Sequence, residues 1–335
     1  MACQYVPGYC SKLGLRQTQQ AIKVIKDTFQ VLLAQNLHLE RVSAPVLVLA
    51  GAGINDDLSG VERKVDFTVK EMGEAHAEVV QSLAKWKRVA LGRYGFAPGE
   101  GIYTDMNAIR RDDSMDNTHS IFVDQWDWEK VITTDQRTLD YLQKTVSRIV
   151  KAIADTNKLL RQKYPLLTAE IAEEVFFITA QQLEDLYPDL TPKEREDAIT
   201  KEHKTVFLMQ IGDKLDSGAP HDGRAPDYDD WSLNGDLLLW HDVLGHALEV
   251  SSMGVRVDAA SLKRQLEIAG ATDREQYAYH KAVLDGTVPL TIGGGIGQSR
   301  LCMLMLQKAH VGEVQVSVWP EEMVSECKEH GIVLL

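Results

Sequence analysis

The chain contains the stretch GGGIGQSR at residues 293–300, followed directly by the apolar run LCMLML at residues 301–306. Glycine has no Cβ, so the backbone here can come close to a flat or anionic ligand. The apolar run predicts a buried helix, whose N-terminus offers free N–H groups and a partial positive charge. Arg300 adds a planar, permanently charged guanidinium at that helix start. The stretch therefore predicts a nucleotide site, with an ordinary tight turn as the alternative.

The absent motifs and the predicted order of helices and strands indicate the fold class. Neither a P-loop motif nor a clean G-x-G-x-x-G between a strand and a helix occurs. Periodicity predicts helices over 20–36 and 139–160, and a third helix that begins at Thr191, whose T-P-K-E sequence is a capping box. Strands are predicted at 41–49 (interrupted by Pro45), 121–126, 206–211, 237–240 and 247–257. Because strands follow one another rather than alternating with helices, we expect an α+β fold, a mainly antiparallel sheet flanked by helices, in one catalytic domain over residues 1–335.

Composition limits the functional class. The chain has 335 residues, of which 44% are hydrophobic and 25% charged, and a net charge of -13. It has neither a membrane-spanning apolar run nor a signal-peptide pattern, so we expect a cytoplasmic protein without a membrane partner. The acidic balance argues against broad binding to nucleic acid. One basic run, KWKR at 85–88, is either a local basic pocket or a solvated helix face.

Two polar constellations could carry chemistry. A strand period places Gln125 and Asp127 on one face, roughly 7 Å apart, where they could hold the polar ends of a small zwitterion. The alternative is a solvated face of a half-buried strand. The run RAPDYDDW at 224–231 places one cation beside three carboxylates and two aromatic rings. It is either a group that binds ammonium, Mg²⁺ or a carboxylate, or an acidic surface loop.

A third constellation makes a geometric prediction. Glu249 has the opposite strand parity from Ser252 and Arg256, so a regular strand would send them to opposite faces. If all three serve one pocket, a bulge near 251–254 is required. His241 and His246 are five residues apart rather than four, which disfavours a metalloprotease-type zinc site. The absence of G-x-S-x-G disfavours a serine hydrolase.

Eight segments carry a resemblance to a known family. They are NDDLSG (55–60), SLAKWKR (82–88), GEGIYTDMNAIR (99–110), VDQWDWE (123–129), RAPDYDDWS (224–232), NGD (234–236), SSMGVRVD (251–258) and GGGIGQSRL (293–301). Together they resemble the ammonia-dependent asparagine synthetases, the aspartate–ammonia ligases, in a collinear match from about Gln17 to Trp319. That family is similar to the catalytic domain of class II aminoacyl-tRNA synthetases, especially the aspartyl enzyme.

The resemblance implies a reaction and an assembly. L-Aspartate, ammonia and ATP would give L-asparagine, AMP and pyrophosphate, through adenylation of the β-carboxylate. ATP would bind in a bent form with Mg²⁺, and the protein would be a homodimer with Pro45 in its dimer-forming motif.

The resemblance also implies roles for individual residues. Arg110 would hold the α-phosphate and Arg300 would stack on adenine. The residues assigned to ATP are Arg110, Asp236, Glu249, Gly293, Gly294, Gly295 and Arg300, with Glu249 and Asp236 also assigned to Mg²⁺. Lys87 and Arg256 would meet the carboxylates of aspartate. The other members of the aspartate pocket are Ser82, Gln125, Asp127, Arg224, Asp229 and Ser252. Asp56 would receive ammonium and remove its proton, because only NH₃ is nucleophilic; Asp56, Lys87, Arg110 and Arg300 form the catalytic set.

Three alternatives remain beside this reading. An aminoacyl-tRNA synthetase should carry an anticodon-binding module and a basic track, and neither is visible. A glutamine-dependent synthetase needs a cysteine immediately after Met1, where this chain has Ala2. A binding protein of the same fold would have lost its arginines or carboxylates.

Family members carry about nine further residues between the positions of Ser232 and Leu233. Either the covering loop is short or a segment is missing, and we expect the second.

Overall fold

The computed structural model describes residues 3–56 and 62–335. Residues 57–61, of which 57–60 belong to the NDDLSG segment, lie outside the described residues. Within the described part the helices are α1 (Leu15–Leu37), α2 (Ala84–Tyr94), α3 (Leu139–Lys163), α4 (Ala180–Leu186), α5 (Pro192–His203), α6 (Ala259–Ile268), α7 (Ala278–Leu284), α8 (Gln298–Met305) and α9 (Glu321–Glu329). The strands are β1 (Leu39–Arg41), β2 (Leu47–Leu49), β3 (Asp66–Val69), β4 (Ala75–Val79), β5 (Gly101–Ile109), β6 (Phe122–Val131), β7 (Phe176–Thr179), β8 (Thr205–Met209), β9 (Asp229–His241), β10 (His246–Arg256) and β11 (Thr291–Gly297). No described helix is both long and apolar enough to span a membrane.

Eight of these strands form the main sheet, in the order β1-β5-β6-β11-β10-β9-β8-β7. The strands from β5 to β8 in this order pair antiparallel, whereas β1 pairs parallel to β5 and β7 parallel to β8. The sheet is therefore mixed, which corrects the prediction of a mainly antiparallel sheet. Parallel neighbours need a crossover connection, and α4 and α5 supply it between β7 and β8. Counting successive strands in the sequence did not reveal the crossover connections that join the two edge pairs.

The predicted strand at 41–49 is two strands in two sheets. β1 ends at Arg41 on the edge of the main sheet, and β2 begins at Leu47 in a small sheet of order β2-β4-β3. Pro45 lies between them, where its missing N–H donor breaks no ladder. The proline therefore divides the segment rather than interrupting one strand.

The long helices were predicted correctly, and they cover one face of the main sheet. α1 packs on α3, and Phe29 of α1 meets Trp126 of β6 with ring centroids 4.6 Å apart. Trp126 and Trp128 are fully buried in this core. Because side chains alternate along a strand, Gln125 and Asp127 point to the opposite face, where the cleft lies. The capping box is confirmed, since Thr191 Oγ1 accepts the N–H of Glu194.

The glycine-rich stretch is a central strand rather than a tight turn. β11 lies between β6 and β10, and α8 begins directly after it at Gln298. The predicted buried helix is confirmed, because Leu301, Cys302 and Met303 are fully buried. Arg300 lies in the first turn of α8, as the sequence predicted.

Candidate active site

A cleft of about 680 Å³ lies over the face of the main sheet opposite α1 and α3. It brings together the predicted site residues Asp56, Ser82, Lys87, Arg110, Gln125, Asp127, Arg224, Asp229, Glu249, Ser252, Arg256, Gly294, Gly295 and Arg300. Asp236 and Gly293 are the predicted site residues that do not line it. These side chains come from segments far apart in the sequence, so the sheet register is what assembles them.

A buried ion-pair cluster forms one end of the cleft. The Nε and Nη2 of Arg256 donate to the Oε1 and Oε2 of Glu129 at 2.9 and 2.7 Å. Nη1 of Arg256 donates to Oδ1 of Asp229 at 2.5 Å. Burial alone would raise the pKa of Glu129, but Arg256 outweighs it and holds that pKa below its usual value. The pKa of Asp229 is raised above its usual value, because the effect of burial exceeds the opposing effect of Arg256.

Lys87 joins the same cluster. Its Nζ donates to Asp127 Oδ1 at 2.6 Å and to the carbonyls of Trp128 and Gly294 at 3.0 and 3.1 Å. Burial lowers the pKa of Lys87, and Asp127 partly offsets this effect. Within the described residues, the Oδ2 atom of Asp127 is buried and accepts no hydrogen bond. This carboxylate oxygen is therefore available to a cationic ligand group.

The glycines of β11 make room for side chains of the protein as well as for a ligand. A Cβ on Gly293 would lie 1.9 Å from Oε2 of Glu129 and 2.7 Å from Nη2 of Arg256. A Cβ on Gly295 would lie 2.0 Å from Oε1 of Gln125. Any larger residue at Gly293 would therefore displace the ion pair of Glu129 and Arg256, although Gly293 itself does not line the cleft.

The predicted bulge is present. The pairing of β10 with β9 shifts register between Glu249 and Ser251, and again between Gly254 and Arg256. The first shift lies just before the predicted range of 251–254. Glu249, Ser252 and Arg256 accordingly all line the cleft despite their different parity.

Two arginines from different elements face the other end of the cleft. Arg300 Nη1 donates to the carbonyl of Glu249 at 2.9 Å, and its Nε donates to the carbonyl of Thr118 at 3.4 Å. Arg110 follows β5 and donates from Nη2 to the carbonyl of Gln81 at 3.4 Å. Its Nε is buried and has no acceptor among the described residues. This end therefore offers guanidinium donors, which suit phosphate oxygens.

Two carboxylates, Glu249 and Asp236, differ in how well they could bind Mg²⁺. Glu249 lines the cleft, and although burial raises its pKa, Arg300 and other cations keep that pKa below its usual value. Asp236 pairs with Ser252 across β9 and β10, on the same face of the sheet, but it does not line the cleft and forms an ion pair with Arg224. Burial raises the pKa of Asp236 to about 7, against the opposing effect of Arg224. No group of three or more histidine, cysteine or acidic side chains among the described residues is arranged around a metal position. Because Mg²⁺ beside a nucleotide needs only one or two carboxylates plus phosphate oxygens, Glu249 fits it, whereas the assignment of Asp236 to Mg²⁺ stays a prediction.

The basic run at 85–88 is buried, so its reading as a solvated helix face is wrong. Lys85 Nζ lies 2.8 Å from Asp227 Oδ2, and both side chains are buried. Arg88 donates from Nε and Nη1 to the carbonyls of Pro289 and Val257 at 2.9 and 2.7 Å. Carboxylates neutralise Lys85 and Lys87, and backbone carbonyls accept the hydrogen bonds of Arg88. Of these three cations only Lys87 lines the cleft.

The acidic run at 224–231 is likewise buried, which excludes the surface-loop reading. Asp227, Asp229 and Asp230 are 0%, 3% and 6% exposed. β9 continues without interruption from Asp229 to His241. Ser232 and Leu233 are consecutive within this strand, so the short junction is real and the expected missing segment is wrong.

The prediction from sequence missed Glu129 and Tyr228. Glu129 shares the strand parity of Gln125 and Asp127, and this signal could have identified it. Tyr228 lines the cleft, and the guanidinium carbon of Arg256 lies 5.8 Å from the centroid of its ring. Tyr228 stands within the acidic run, where no periodicity marks which way its ring points.

Comparisons with known proteins identify the family. A family model described as aspartate-ammonia ligase matches residues 16–331. The aspartate–ammonia ligase of Clostridium tetani is 58% identical over 98% of this chain and 96% of its own length. That of Ruminiclostridium cellulolyticum is 57% identical over 98% of both.

Solved structures show the fold. The asparaginyl-tRNA synthetase from Pyrococcus horikoshii complexed with asparaginyl-adenylate has a TM-score of 0.62 at 16% identity, covering 91% of this chain and 70% of that one. The Entamoeba histolytica asparaginyl-tRNA synthetase with the same ligand has a TM-score of 0.61 at 14% identity, covering 90% and 66%. The fold is thus that of class II aminoacyl-tRNA synthetases, and the extended sequence match shows that the chain belongs to the aspartate–ammonia ligase family.

Proposed function

We propose that this protein uses ATP to join ammonia to the side-chain carboxylate of L-aspartate, giving L-asparagine, AMP and pyrophosphate. The observation that carries the proposal is one shared cleft holding the cluster around Arg256, the arginines Arg110 and Arg300, and Asp56. Membership of the aspartate–ammonia ligase family supports the same substrates. We also propose that residues 1–335 act as one catalytic unit in the cytoplasm.

The buried cluster suits aspartate by its charge. Two cations, Lys87 and Arg256, face three carboxylates, Asp127, Glu129 and Asp229. The free Oδ2 of Asp127 can accept the α-ammonium of the substrate. Arg256 keeps one N–H on each terminal nitrogen for a substrate carboxylate, because Glu129 and Asp229 use the others. Gln125, Ser82 and Ser252 supply neutral polar groups around the same space.

The first chemical step activates the β-carboxylate. A carboxylate is a poor acyl electrophile because oxide would have to leave. An oxygen of the β-carboxylate attacks the α-phosphorus of ATP, the bond to the β-phosphate oxygen breaks, and pyrophosphate leaves. Arg110 and Arg300 stabilise the charge that develops on the phosphate oxygens, with Arg300 also placed to stack on adenine. Glu249 would hold Mg²⁺, which supplies further positive charge at the phosphates.

The second step forms the amide. Asp56 binds ammonium and removes one proton, because only NH₃ carries the lone pair that attacks. The nitrogen attacks the side-chain carbonyl carbon of aspartyl-AMP and forms a tetrahedral intermediate. The bond from this carbon to the bridging oxygen breaks, AMP leaves with that carboxylate-derived oxygen on its phosphate, and the nitrogen gives its second proton to the departing phosphate, which leaves the neutral amide. Asp56 is 2% exposed, so its carboxylate acts in a site largely shielded from water.

We further propose a homodimer formed through the small sheet. Val46, Leu47, Leu49 and Phe67 expose 51%, 45%, 48% and 41% of their surface beside Pro45. An apolar patch of this kind on a folded protein is typical of an interface with another protein surface.

The test of the proposed function uses purified protein with aspartate, ATP, Mg²⁺ and ¹⁵N-ammonium. The expected products are asparagine labelled in its side-chain amide and one AMP for each asparagine. Formation of ADP and phosphate, or of unlabelled asparagine, would rule out the proposed reaction.

A further inference from the structure

Asn55, which no proposed role above uses, occupies a central position beside the cleft. Its side chain is 6% exposed, and it precedes Asp56 directly in the chain. The Nδ2 of Asn55 donates to Glu78 Oε2 at 3.0 Å and to the carbonyl of Val79 at 3.1 Å. Its Oδ1 accepts the N–H groups of Asp56 and Gln81 at 3.0 and 2.9 Å. A neutral carboxamide has two N–H donors and two lone pairs, so this one is fully used.

These four hydrogen bonds join two functional segments. On one side is the backbone of Asp56, the proposed ammonium acceptor. On the other is Gln81, which precedes Ser82 of the cleft and whose carbonyl accepts a hydrogen bond from Arg110 at 3.4 Å. A continuous chain of hydrogen bonds thus runs from the proposed ammonium acceptor Asp56 through Asn55 and Gln81 to Arg110, which is proposed to bind phosphate.

The carbonyl of Asn55 provides a further contact. It accepts Lys85 Nζ at 3.4 Å, and Lys85 is itself held by the buried carboxylate of Asp227 at 2.8 Å. Asp227 in turn contacts His280 Nε2 and Arg274 Nη1, each at 3.1 Å. Asn55 is therefore fixed through both its side chain and its backbone.

The two sides of this connection differ in rigidity. Val79 is held by β4, whose pairing with β2 joins Leu47 to Val79. Ala84 begins α2 three residues after Gln81. Asn55 and Asp56 lie in an irregular segment after β2. Loss of the carboxamide should therefore move Asp56 and leave Gln81 and Arg110 in place.

We propose that Asn55 is a positioning residue that fixes Asp56 at the distance and angle from which ammonia attacks the activated carboxylate. This inference rests on the proposed function, since it concerns the second step of that reaction. A displacement of about 1 Å at a reacting group can reduce the rate about 100-fold. The adenylation step needs no ammonia, so it does not depend on the position of Asp56.

The test separates the two steps with Asn55→Ala. The KM for ammonium should rise about 30-fold or more, which is about 2 kcal/mol. Exchange of labelled pyrophosphate into ATP, with aspartate and without ammonium, should stay within about threefold of the unchanged protein. Asn234→Ala is the matched control, because Asn234 is also buried and its amide bonds the backbone of Ile211 at 2.9 and 2.8 Å without lining the cleft. This control should keep the KM for ammonium.

The possible results are distinct. An unchanged KM for ammonium in Asn55→Ala, or an equal loss of exchange and amide formation, overturns the inference. If Asn55→Ala does not fold, Glu78→Ala decides instead, since it removes one partner of the carboxamide and should raise the KM for ammonium about fivefold with exchange retained. An unchanged KM in that variant also overturns the inference. Absence of pyrophosphate exchange in the unchanged protein would instead refute the proposed function.

Discussion

Arg256 and Glu129 form a two-point ion pair that passes directly over Gly293, with Nε–Oε1 and Nη2–Oε2 distances of 2.9 and 2.7 Å. Both side chains are fully buried. Removing one partner of such a pair typically costs about 3–5 kcal/mol, because the other charge is left buried without compensation. The ion pair of Arg256 and Glu129 therefore requires the space that the missing Cβ of Gly293 leaves.

Gly293→Ala tests this relationship. The new Cβ would lie 1.9 Å from Oε2 of Glu129 and 2.7 Å from Nη2 of Arg256, so the ion pair must shift. We expect the KM for aspartate to rise at least about tenfold, equivalent to about 1.4 kcal/mol, with a smaller change in the KM for ATP. Steady-state kinetics with each substrate varied in turn measure both constants.

Gly223→Ala is the matched control for this substitution. A Cβ on Gly223 would meet no atom within 4 Å, although Gly223 also lines the cleft. Its KM for aspartate should stay within about threefold of the unchanged value. Equal effects of the two substitutions would show that the close approach at Gly293 is not what matters.

Arg300→Ala should weaken the use of ATP without unfolding the protein. Arg300 is part-exposed, donates to the backbone carbonyls of Glu249 and Thr118, and lies 3.8 Å from Oε1 of Glu249. Because the side chain of Glu249 is itself 37% exposed, the loss of Arg300 leaves no fully buried charge unpaired. A hydrogen bond to a charged group contributes about 1.5–3 kcal/mol, so the KM for ATP should rise about 10- to 100-fold. The exposed neighbour of Arg110, Arg111, does not line the cleft, and Arg111→Ala serves as the control. Full activity of Arg300→Ala would refute the placement of this arginine at the nucleotide.

The proposed dimer predicts a response to charge on the small sheet. Leu47→Lys together with Leu49→Lys places two cations in the exposed apolar patch, where burial against a second copy would be costly. The mass in solution, measured by light scattering after size-exclusion chromatography, should fall from two chains to one. Leu166→Lys, at a leucine that is 64% exposed elsewhere, should remain a dimer. A monomeric unchanged protein would contradict the proposed dimer directly.

Two buried histidines predict a loss of stability in mild acid. Burial lowers the pKa of His241 and of His310 to about 4. In the unfolded chain a histidine takes up its proton near pH 6.5, while the folded protein resists it until about pH 4. Stability is therefore lost as the pH falls from about 6.5 towards 4, by about 2 kcal/mol for each histidine at pH 5.

Urea unfolding of His241→Asn at pH 7 and pH 5 measures this effect. Asparagine can still accept the N–H of Leu244, which His241 Nδ1 accepts at 3.2 Å. The difference in unfolding free energy between the two pH values should shrink by about 2 kcal/mol. His38→Asn is the control, since His38 is exposed and its φ of 60° is one that asparagine tolerates. An unaltered pH dependence in His241→Asn would show that this histidine takes up its proton in the folded protein as readily as in the unfolded one.

Local patterns predicted much of this fold. The period of α1 and α3 and the capping box at Thr191 depend on neighbours within one or two turns, and all three are confirmed. In a regular strand Glu249 would point away from Ser252 and Arg256. A pocket shared by all three therefore predicted a bulge, and the structure has one. Features that depend on the geometry of a single helix or strand can therefore be predicted from the sequence.

The features that the sequence did not predict depend on partners far along the chain. Lys85 and Asp227 are 142 positions apart, and only the fold shows that they neutralise each other in the interior. Glycines at 293–295 look the same in sequence whether the neighbouring atoms belong to a ligand or to Glu129. The parallel edge pairs likewise depend on the long crossover connections between their strands. Such long-range pairings determine the charge state of the site, and no local pattern specifies them.

The proposed reaction requires that the β-carboxylate of aspartate becomes an acyl-AMP before ammonia attacks. Aspartate labelled with ¹⁸O in its β-carboxylate tests this most directly, with mass spectrometry of the products after reaction with ATP, Mg²⁺ and ammonium. If the acyl-AMP forms, we expect one ¹⁸O atom in the phosphate of AMP and none in pyrophosphate. Label in inorganic phosphate beside ADP, or unlabelled AMP beside labelled asparagine, would contradict it.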